Sequence, residues 1–314
     1  MNQQQRVVCI VGPTASGKTE FAQDAAERIE GEIVSADAMQ IYRGMDIGTG
    51  KVAPDERRVP HFGLDLVEPG EAYSAALFQR YARERFFDIS SRGSVPFLVG
   101  GTGFYVRAAI DDYDFPKGEQ VDNPVRERYQ RYADEHGSMA LWELLDAEDP
   151  DSASVLHPNE TRRIIRAFEL LAEGESYARQ RERLARLPQA VPAVFIGLSV
   201  DPDLLRKRID ARVDAMVEAG LVDEVRGLLD RGLREGITAP QAIGYKEIVA
   251  ALDGECTLEE AIQAIKFATH RYAKRQRTWF RKDGRIHWLD ADRIEDANVR
   301  KKMVSEALHI IDAC

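Results

Sequence analysis

Eight residues, Gly12-Pro13-Thr14-Ala15-Ser16-Gly17-Lys18-Thr19, match the pattern G-x-x-x-x-G-K-[ST] without a gap. Each residue type has a job in holding an anion. The glycines let backbone N–H groups turn inward around phosphate oxygens, and the helix that follows adds its positive dipole end. Lys18 supplies a point charge, and the Thr19 hydroxyl can hold a magnesium ion. Such a loop binds a di- or triphosphate. It does not say what carries the phosphates or which bond breaks.

Other residues could act beside it. Asp37 follows the apolar run Ile33-Val34-Ser35; a carboxylate there can take a proton or orient a nucleophile, or simply hold a turn. Gln40 could hydrogen-bond a polar ring edge, or be solvated. Gly100-Gly101-Thr102-Gly103 allows close backbone approach to a ligand, with Thr102 equally suited to cap a helix. Arg208 and Arg212 lie one turn apart beside the apolar stripe Leu205, Ile209, Val213 and Val217. Either could reach a phosphate, or pair with Asp210 or Asp214. His157-Pro158-Asn159 reads as a helix start capped by Asn159. Trp279-Phe280, among Arg275, Arg277 and Arg281, could stack on bases or form the buried face of a helix.

The elements that must position these groups are legible from pattern. Val7–Val11 reads as a buried strand before the phosphate loop, and the helical spacing of Phe21, Ala25, Ala26 and Ile29 follows it. Strands are predicted at 33–35, 62–67, 95–99, 193–200 and 286–289, alternating with helices that include one from Ser74 to about Arg92. Such alternation gives a doubly wound α/β fold with a parallel sheet, whose ligands bind beyond the carboxyl ends of the strands. That puts the phosphate loop, Asp37 and the Gly100–Thr102 turn on one rim. Between an acidic, turn-rich stretch at 111–124 and the exit at Pro188–Pro192 the pattern gives only helices: 124–136, 138–146, 159–173 and 175–187. The expected organisation is a P-loop NTPase-like catalytic core at 1–115 and 190–314, with a small all-helical insertion at 116–189. Helices are expected at 221–231 and 241–252. Asp201-Pro202 and the capping box Thr257-Leu258-Glu259-Glu260 open two more, the second running to about Arg281.

Composition is that of a globular protein with a large core, and no apolar run is long enough to span a membrane. Three scattered cysteines, Cys9, Cys256 and Cys314, have no metal or redox spacing and fit a reducing cytoplasm. The net charge of −10 argues against nucleic-acid binding by the whole surface. Charge is uneven, though. Lys266, Arg271, Lys274, Arg275, Arg277, Arg281, Lys282 and Arg285 meet only Asp283 between them. A second group, Arg162, Arg163, Arg166, Arg179, Arg181, Arg183 and Arg186, is interspersed with glutamates, as solvated helix faces usually are.

Taken in order, GPTASGKT, SADAMQIYRGMDIGTGK, LVGGTGFY, HPNETRRIIRAFE, AIGYKE and ATHRYAKRQRTWFR resemble the successive motifs of bacterial tRNA dimethylallyltransferases over nearly the whole chain. The resemblance implies transfer of a dimethylallyl group from dimethylallyl diphosphate to the exocyclic amine of the adenosine on the 3′ side of the anticodon, position 37 of the tRNA. It implies Asp37 as general base, Gly12 to Thr19 around the donor diphosphate with Thr19 on Mg2+, and Arg212 on the leaving diphosphate. Contacts to the tRNA anticodon stem-loop are implied for Asp37, Ala38, Met39 and Gln40. They are also implied for Thr102 and Gly103, for Thr161, Arg162, Arg163, Ile164 and Ile165, and for Ala242, Ile243, Gly244, Tyr245, Lys246 and Glu247. Ala38 stands where many members carry serine, so no role of that serine carries over. Lys274 and Arg275 in the basic helix would grip phosphates, which reconciles an acidic body with a nucleic-acid substrate. A cytoplasmic monomer with no membrane partner is expected.

Three rival readings share the phosphate loop. A small-metabolite kinase would use Asp37 to activate a hydroxyl and would consume ATP. An adenylate isopentenyltransferase would prenylate free nucleotides. A nucleotide switch would carry no transfer chemistry.

Overall fold

In a computed structural model, residues 6–115 and 123–313 are described. The chain divides into two compact units, Met1–Asp111 with Gln189–Cys314, and Asp112–Pro188.

The first unit is built on β1, Val7–Val11, which is fully buried. Along the chain come α1 (Lys18–Arg28), β2 (Gly31–Ser35), β3 (His61–Phe62), α2 (Ala75–Ser91), β4 (Val95–Gly100) and α3 (Gly103–Ile110). The second unit contains α4 (Pro124–Glu148), α5 (Pro150–Ser154), α6 (Thr161–Ala172) and α7 (Tyr177–Ala185). The first unit resumes with β5 (Ala193–Ser199), α8 (Pro202–Glu218), α9 (Leu221–Leu229), α10 (Tyr245–Leu252), α11 (Leu258–Phe280), β6 (Ile286–Asp290) and α12 (Ala297–Ala313).

The six strands form one sheet in the order β3-β2-β4-β1-β5-β6, with every pairing parallel. Parallel strands need a crossover between neighbours, and the helices that supply it cover both faces. β1 shows the alternation directly. Val8 and Ile10 join a core with Phe21 of α1 and Ile209 of α8. Val7, Cys9 and Val11 point the other way, onto Phe78, Phe86, Tyr105 and Phe280. Cys9 is thus a core residue, and burial pushes its thiol far above the ordinary range. The register pairs Val11 with Gly100 and Ser35 with Val99, so β1, β2 and β4 end together.

Local signals explain the ends of several elements. Ser74 Oγ accepts from Leu77 N–H, Asp201 Oδ1 from Asp203 and Leu204, and Thr257 forms its capping box with Glu260. The second unit gathers around the stacked rings of Tyr129 and Phe168, 3.8 Å apart, with Leu141, Leu145 and Ile164. Buried Glu169 of α6 is joined to α4 by Arg126 at 2.7 Å and also pairs with Arg166 of its own helix at 2.8 Å. Gly137, at φ 86°, breaks α4 where the two predicted helices meet.

Three expectations are corrected. The strand predicted at 62–67 stops at Phe62, because Gly63 turns the chain at φ 79° and donates its N–H to the Tyr81 hydroxyl. Asn159 does not cap α6. Glu160 holds that position, its carboxylate accepting from the His157 N–H and pairing with Arg163. Thr102 precedes α3, but its hydroxyl makes no cap; it accepts the Ala38 N–H at 3.1 Å.

Candidate active site

The phosphate loop leaves β1 and runs into α1, as the strand–loop–helix pattern requires. Ser16 is buried, and its hydroxyl finds no partner among the described residues. Lys18 Nζ donates to the Pro13 carbonyl at 3.0 Å, folding the side chain back over its own loop. Burial, and then the positive charge of Arg212, lower the Lys18 amine to about 8, against the opposing pull of Asp37. Lys18, Arg212 and Asp37 therefore share one electrostatic environment.

A cavity of about 390 Å³ lies in the first unit beside this loop. Thr14, Asp37, Thr102 and Arg212 bring polar groups to it, and Val213, Met216, Leu221, Ile243 and Ile265 give it an apolar wall. An elongated molecule with one anionic and one hydrocarbon end suits such a lining. Asp37 holds the turn and also faces the cavity. Its Oδ1 accepts the Met39 N–H at 2.9 Å, holding the turn, and the residue lines the cavity.

Arg208 and Arg212 lie in different surroundings. Arg208 donates to the carbonyls of Ala291 and Asp292 and pairs with Glu295. Arg212 lines the cavity, and burial lowers its guanidinium while Asp37 opposes the shift. Neither uses the nearby acids: Asp210 pairs with His270 at 2.8 Å and Asp214 with Lys266 at 2.6 Å.

Of the residues expected on the acceptor side, Ala38, Met39, Thr102, Ala242, Ile243, Gly244, Tyr245 and Arg275 line the same cavity. Gln40 is half-buried and is absent from the cavity lining. Its Oε1 accepts from Ser35 Oγ at 2.8 Å, and its Nε2 donates to the carbonyls of Thr49 and Gly50. Gly103 faces Trp279, whose indole fills the space a side chain there would need. Phe280 is core and offers no stacking face, whereas Trp279 is half-exposed. In the second unit, Ile164 and Ile165 are buried, so their side chains serve packing; Thr161 is half-buried, and Arg162 and Arg163 are exposed. Some arginines of that unit pair with acids, Arg163 with Glu160, Arg166 with Glu169 and Arg183 with Glu175. On α11, Lys274 and Arg275 are exposed, and the Arg275 guanidinium lies 5.7 Å from the Tyr272 ring centroid.

Two site-building residues were not singled out by the sequence pattern. Glu224, on α9, accepts backbone N–H groups of Asp46, Ile47 and Gly48 and the Tyr245 hydroxyl, at 2.6 to 3.1 Å. It anchors the loop that places Gly48 and Thr49 in the cavity wall. Gly50, in the same loop at φ 62°, leaves room for the Arg212 guanidinium. The pair of glycines in Gly48-Thr49-Gly50 is the only hint of that approach.

The family model described as IPP transferase matches residues 40–283, and one described as isopentenyl transferase matches residues 5–59. The tRNA dimethylallyltransferase of Carboxydothermus hydrogenoformans is 45% identical over 305 residues, covering 96% of this chain and 97% of that protein. That of Bacillus subtilis is 42% identical over 305 residues, covering 96% of each. The crystal structure of a full-length tRNA isopentenylpyrophosphate transferase from Bacillus halodurans superposes with a TM-score of 0.71 at 41% identity, covering 98% of this chain and 97% of that one. A eukaryotic dimethylallyltransferase acting on tRNA gives 0.79 at 27% identity, covering 98% and 80%. The extent of the family match and the level of identity over nearly full length show that this chain belongs to the IPP transferase family.

Proposed function

We infer that the protein is a tRNA dimethylallyltransferase, a prenyltransferase that moves the dimethylallyl group of dimethylallyl diphosphate to the exocyclic amine of the adenosine 3′ to the anticodon. One observation carries the reading: Asp37, Arg212 and Thr14 of the phosphate loop open on one cavity that also has an apolar wall of Val213, Met216, Leu221, Ile243 and Ile265. A dimethylallyl group gives that hydrocarbon wall an occupant beside the anion site.

The chemistry follows from the acceptor's weakness. The lone pair of an adenine amine is delocalised into its ring, so the electrophile must be activated. As the nitrogen bonds to the allylic carbon, the carbon–oxygen bond to diphosphate breaks and its electron pair leaves with the diphosphate. Lys18, Arg212 and the loop N–H groups receive the departing charge. The amine's proton passes to the Asp37 carboxylate. The adenosine must leave the anticodon stack to reach the cavity, as bases do in other nucleic-acid-modifying enzymes.

Magnesium fits the oxygen donors present. The Thr19 hydroxyl, half-buried in the first turn of α1, would hold the ion together with donor phosphate oxygens, and the partnerless Ser16 hydroxyl marks the same loop as a place for a polar ligand. Bound there, the ion supplies further neutralisation of the diphosphate. Exposed Lys274, Arg275 and Arg162 support a grip on tRNA phosphates. A cytoplasmic monomer accords with that substrate; no described helix is long and apolar enough to cross a membrane.

The test is transfer of label from radioactive dimethylallyl diphosphate, with magnesium, to unmodified tRNA or to AMP in parallel. Label in tRNA alone is the expected result. Label in AMP would instead make the protein an adenylate isopentenyltransferase.

A further inference from the structure

Gln276 is almost fully buried on α11, so both ends of its carboxamide need partners. Its Oε1 accepts the Thr14 N–H of the phosphate loop at 2.9 Å, and its Nε2 donates to the Gly101 carbonyl at 2.9 Å. A side chain on Gly101 would collide with that Nε2, so this contact is one reason for glycine in the turn. Tyr272 lies one helical turn earlier on the same helix and, with Thr14 and Thr102, lines the cavity. Thr102 Oγ1 in turn accepts the N–H of Ala38, the neighbour of Asp37.

We propose that Gln276 is a positioning residue that fixes the phosphate loop relative to Asp37, through hydrogen bonds from α11 to the loop and to the Gly101–Thr102 turn. Gln276 ties Thr14 to the Gly101 carbonyl, and the next residue of that turn, Thr102, receives the Ala38 N–H. The departing diphosphate and the carboxylate that takes the proton are held in register by this frame, while Gln276 itself is absent from the cavity lining. Helix α11 also presents Lys274 and Arg275 outward in the same turn, so a substrate gripped there bears on the element that sets the register. The inference rests on the prenyl-transfer reading, which gives the loop and Asp37 a common task.

The experiment compares native protein with Gln276→Met, which keeps side-chain length but makes neither hydrogen bond, and with Thr102→Val. Four quantities are read: Tm, the Kd for inorganic diphosphate, the Kd for tRNA, and the single-turnover rate of label transfer. A lost frame misplaces groups without removing them, so the Gln276→Met rate should fall about 10- to 100-fold while both Kd values stay within about three-fold. Because the two residues act in one path, the double variant should be about as slow as the slower single variant. A Gln276→Met rate within two-fold of native would overturn the proposal. So would a rate loss matched by equal weakening of diphosphate binding, or losses that multiply in the double variant. If Gln276→Met does not fold, Thr102→Val carries the comparison: a slow rate with native affinities supports the frame, and a native rate refutes it. Native protein that transfers nothing to tRNA would refute the prenyl-transfer reading itself, a result distinct from each of these.

Discussion

The Arg212 guanidinium occupies the space that a side chain on Gly50 would take, and its Nη2 reaches the Thr49 carbonyl at 3.4 Å. A loop glycine is thereby part of how an arginine 162 positions later in the chain reaches the cavity. Gly50→Ala should displace Arg212 and lower kcat/KM by about 10- to 100-fold, as small misplacements of a charge-stabilising group do. The substitution also carries about 1–2 kcal/mol of left-handed backbone strain. Gly254→Ala serves as the control, since Gly254 has φ 79° and nothing near its Cβ position. It should lose similar stability and keep its rate, as steady-state kinetics beside thermal melts will show.

Lys18 gives the diphosphate site a pH dependence of known sign. Its amine is lowered to about 8, chiefly by burial. Below that pH it is an ammonium that attracts the diphosphate, and above it the charge is lost. Affinity for the diphosphate should therefore weaken as pH rises through 8, beyond any change from the ligand's own ionisation. Titration calorimetry of native protein against Lys18→Met isolates the difference, which should shrink towards pH 9.5. Stability runs the other way. The folded amine titrates below its unfolded value, so the cost of burying the ammonium is present in full below the folded value and fades as pH rises.

Glu224 holds the Asp46–Gly48 backbone from α9. Glu224→Ala leaves three N–H groups and the Tyr245 hydroxyl without that acceptor. A loss of about 2–3 kcal/mol is expected after water has replaced part of it. Differential scanning calorimetry should show a Tm lower by about 4 °C or more. The transfer rate should fall as well, because Gly48 and Thr49 form part of the cavity wall.

Lys274 and Arg275 are exposed on α11. Replacing both with alanine should weaken tRNA binding and lower the slope of log Kd against log salt by about 1.5, the effect of losing two phosphate contacts. The loss is greatest at low salt, where released counterions count most. An unchanged slope would remove these residues from the phosphate grip.

The parts of this site that the chain reveals on its own are those in which one short segment contains the whole device. The strand, loop and helix around Gly12–Thr19 are such a segment, as are the Asp201-Pro202 helix start and the Thr257 capping box. The helix break at Gly137 is another, since glycine there needs no distant partner. What the chain hides are pairings of residues far apart. Gln276 with Thr14, Glu224 with Gly48 and Trp279 with Gly103 are each built by packing two elements, and nothing in either segment names the other. Gln40 shows the same limit. Its neighbours make it look like a solvent-facing or ligand-facing amide, but the fold brings Thr49 and Gly50 to it. Thr102 lies where a helix cap belongs, yet the nearer demand came from the Ala38 N–H across the rim.

The Asp37 carboxylate is tested most directly by Asp37→Asn. Asparagine keeps a side-chain oxygen for the Met39 N–H, so the turn at the end of β2 is retained. What it removes is the basic group opposite the phosphate loop. Transfer of label to tRNA should fall at least about 100-fold, the usual scale for loss of a general base, while inorganic diphosphate binds with native affinity. Native transfer by Asp37→Asn, or diphosphate binding lost in step with transfer, would contradict the account.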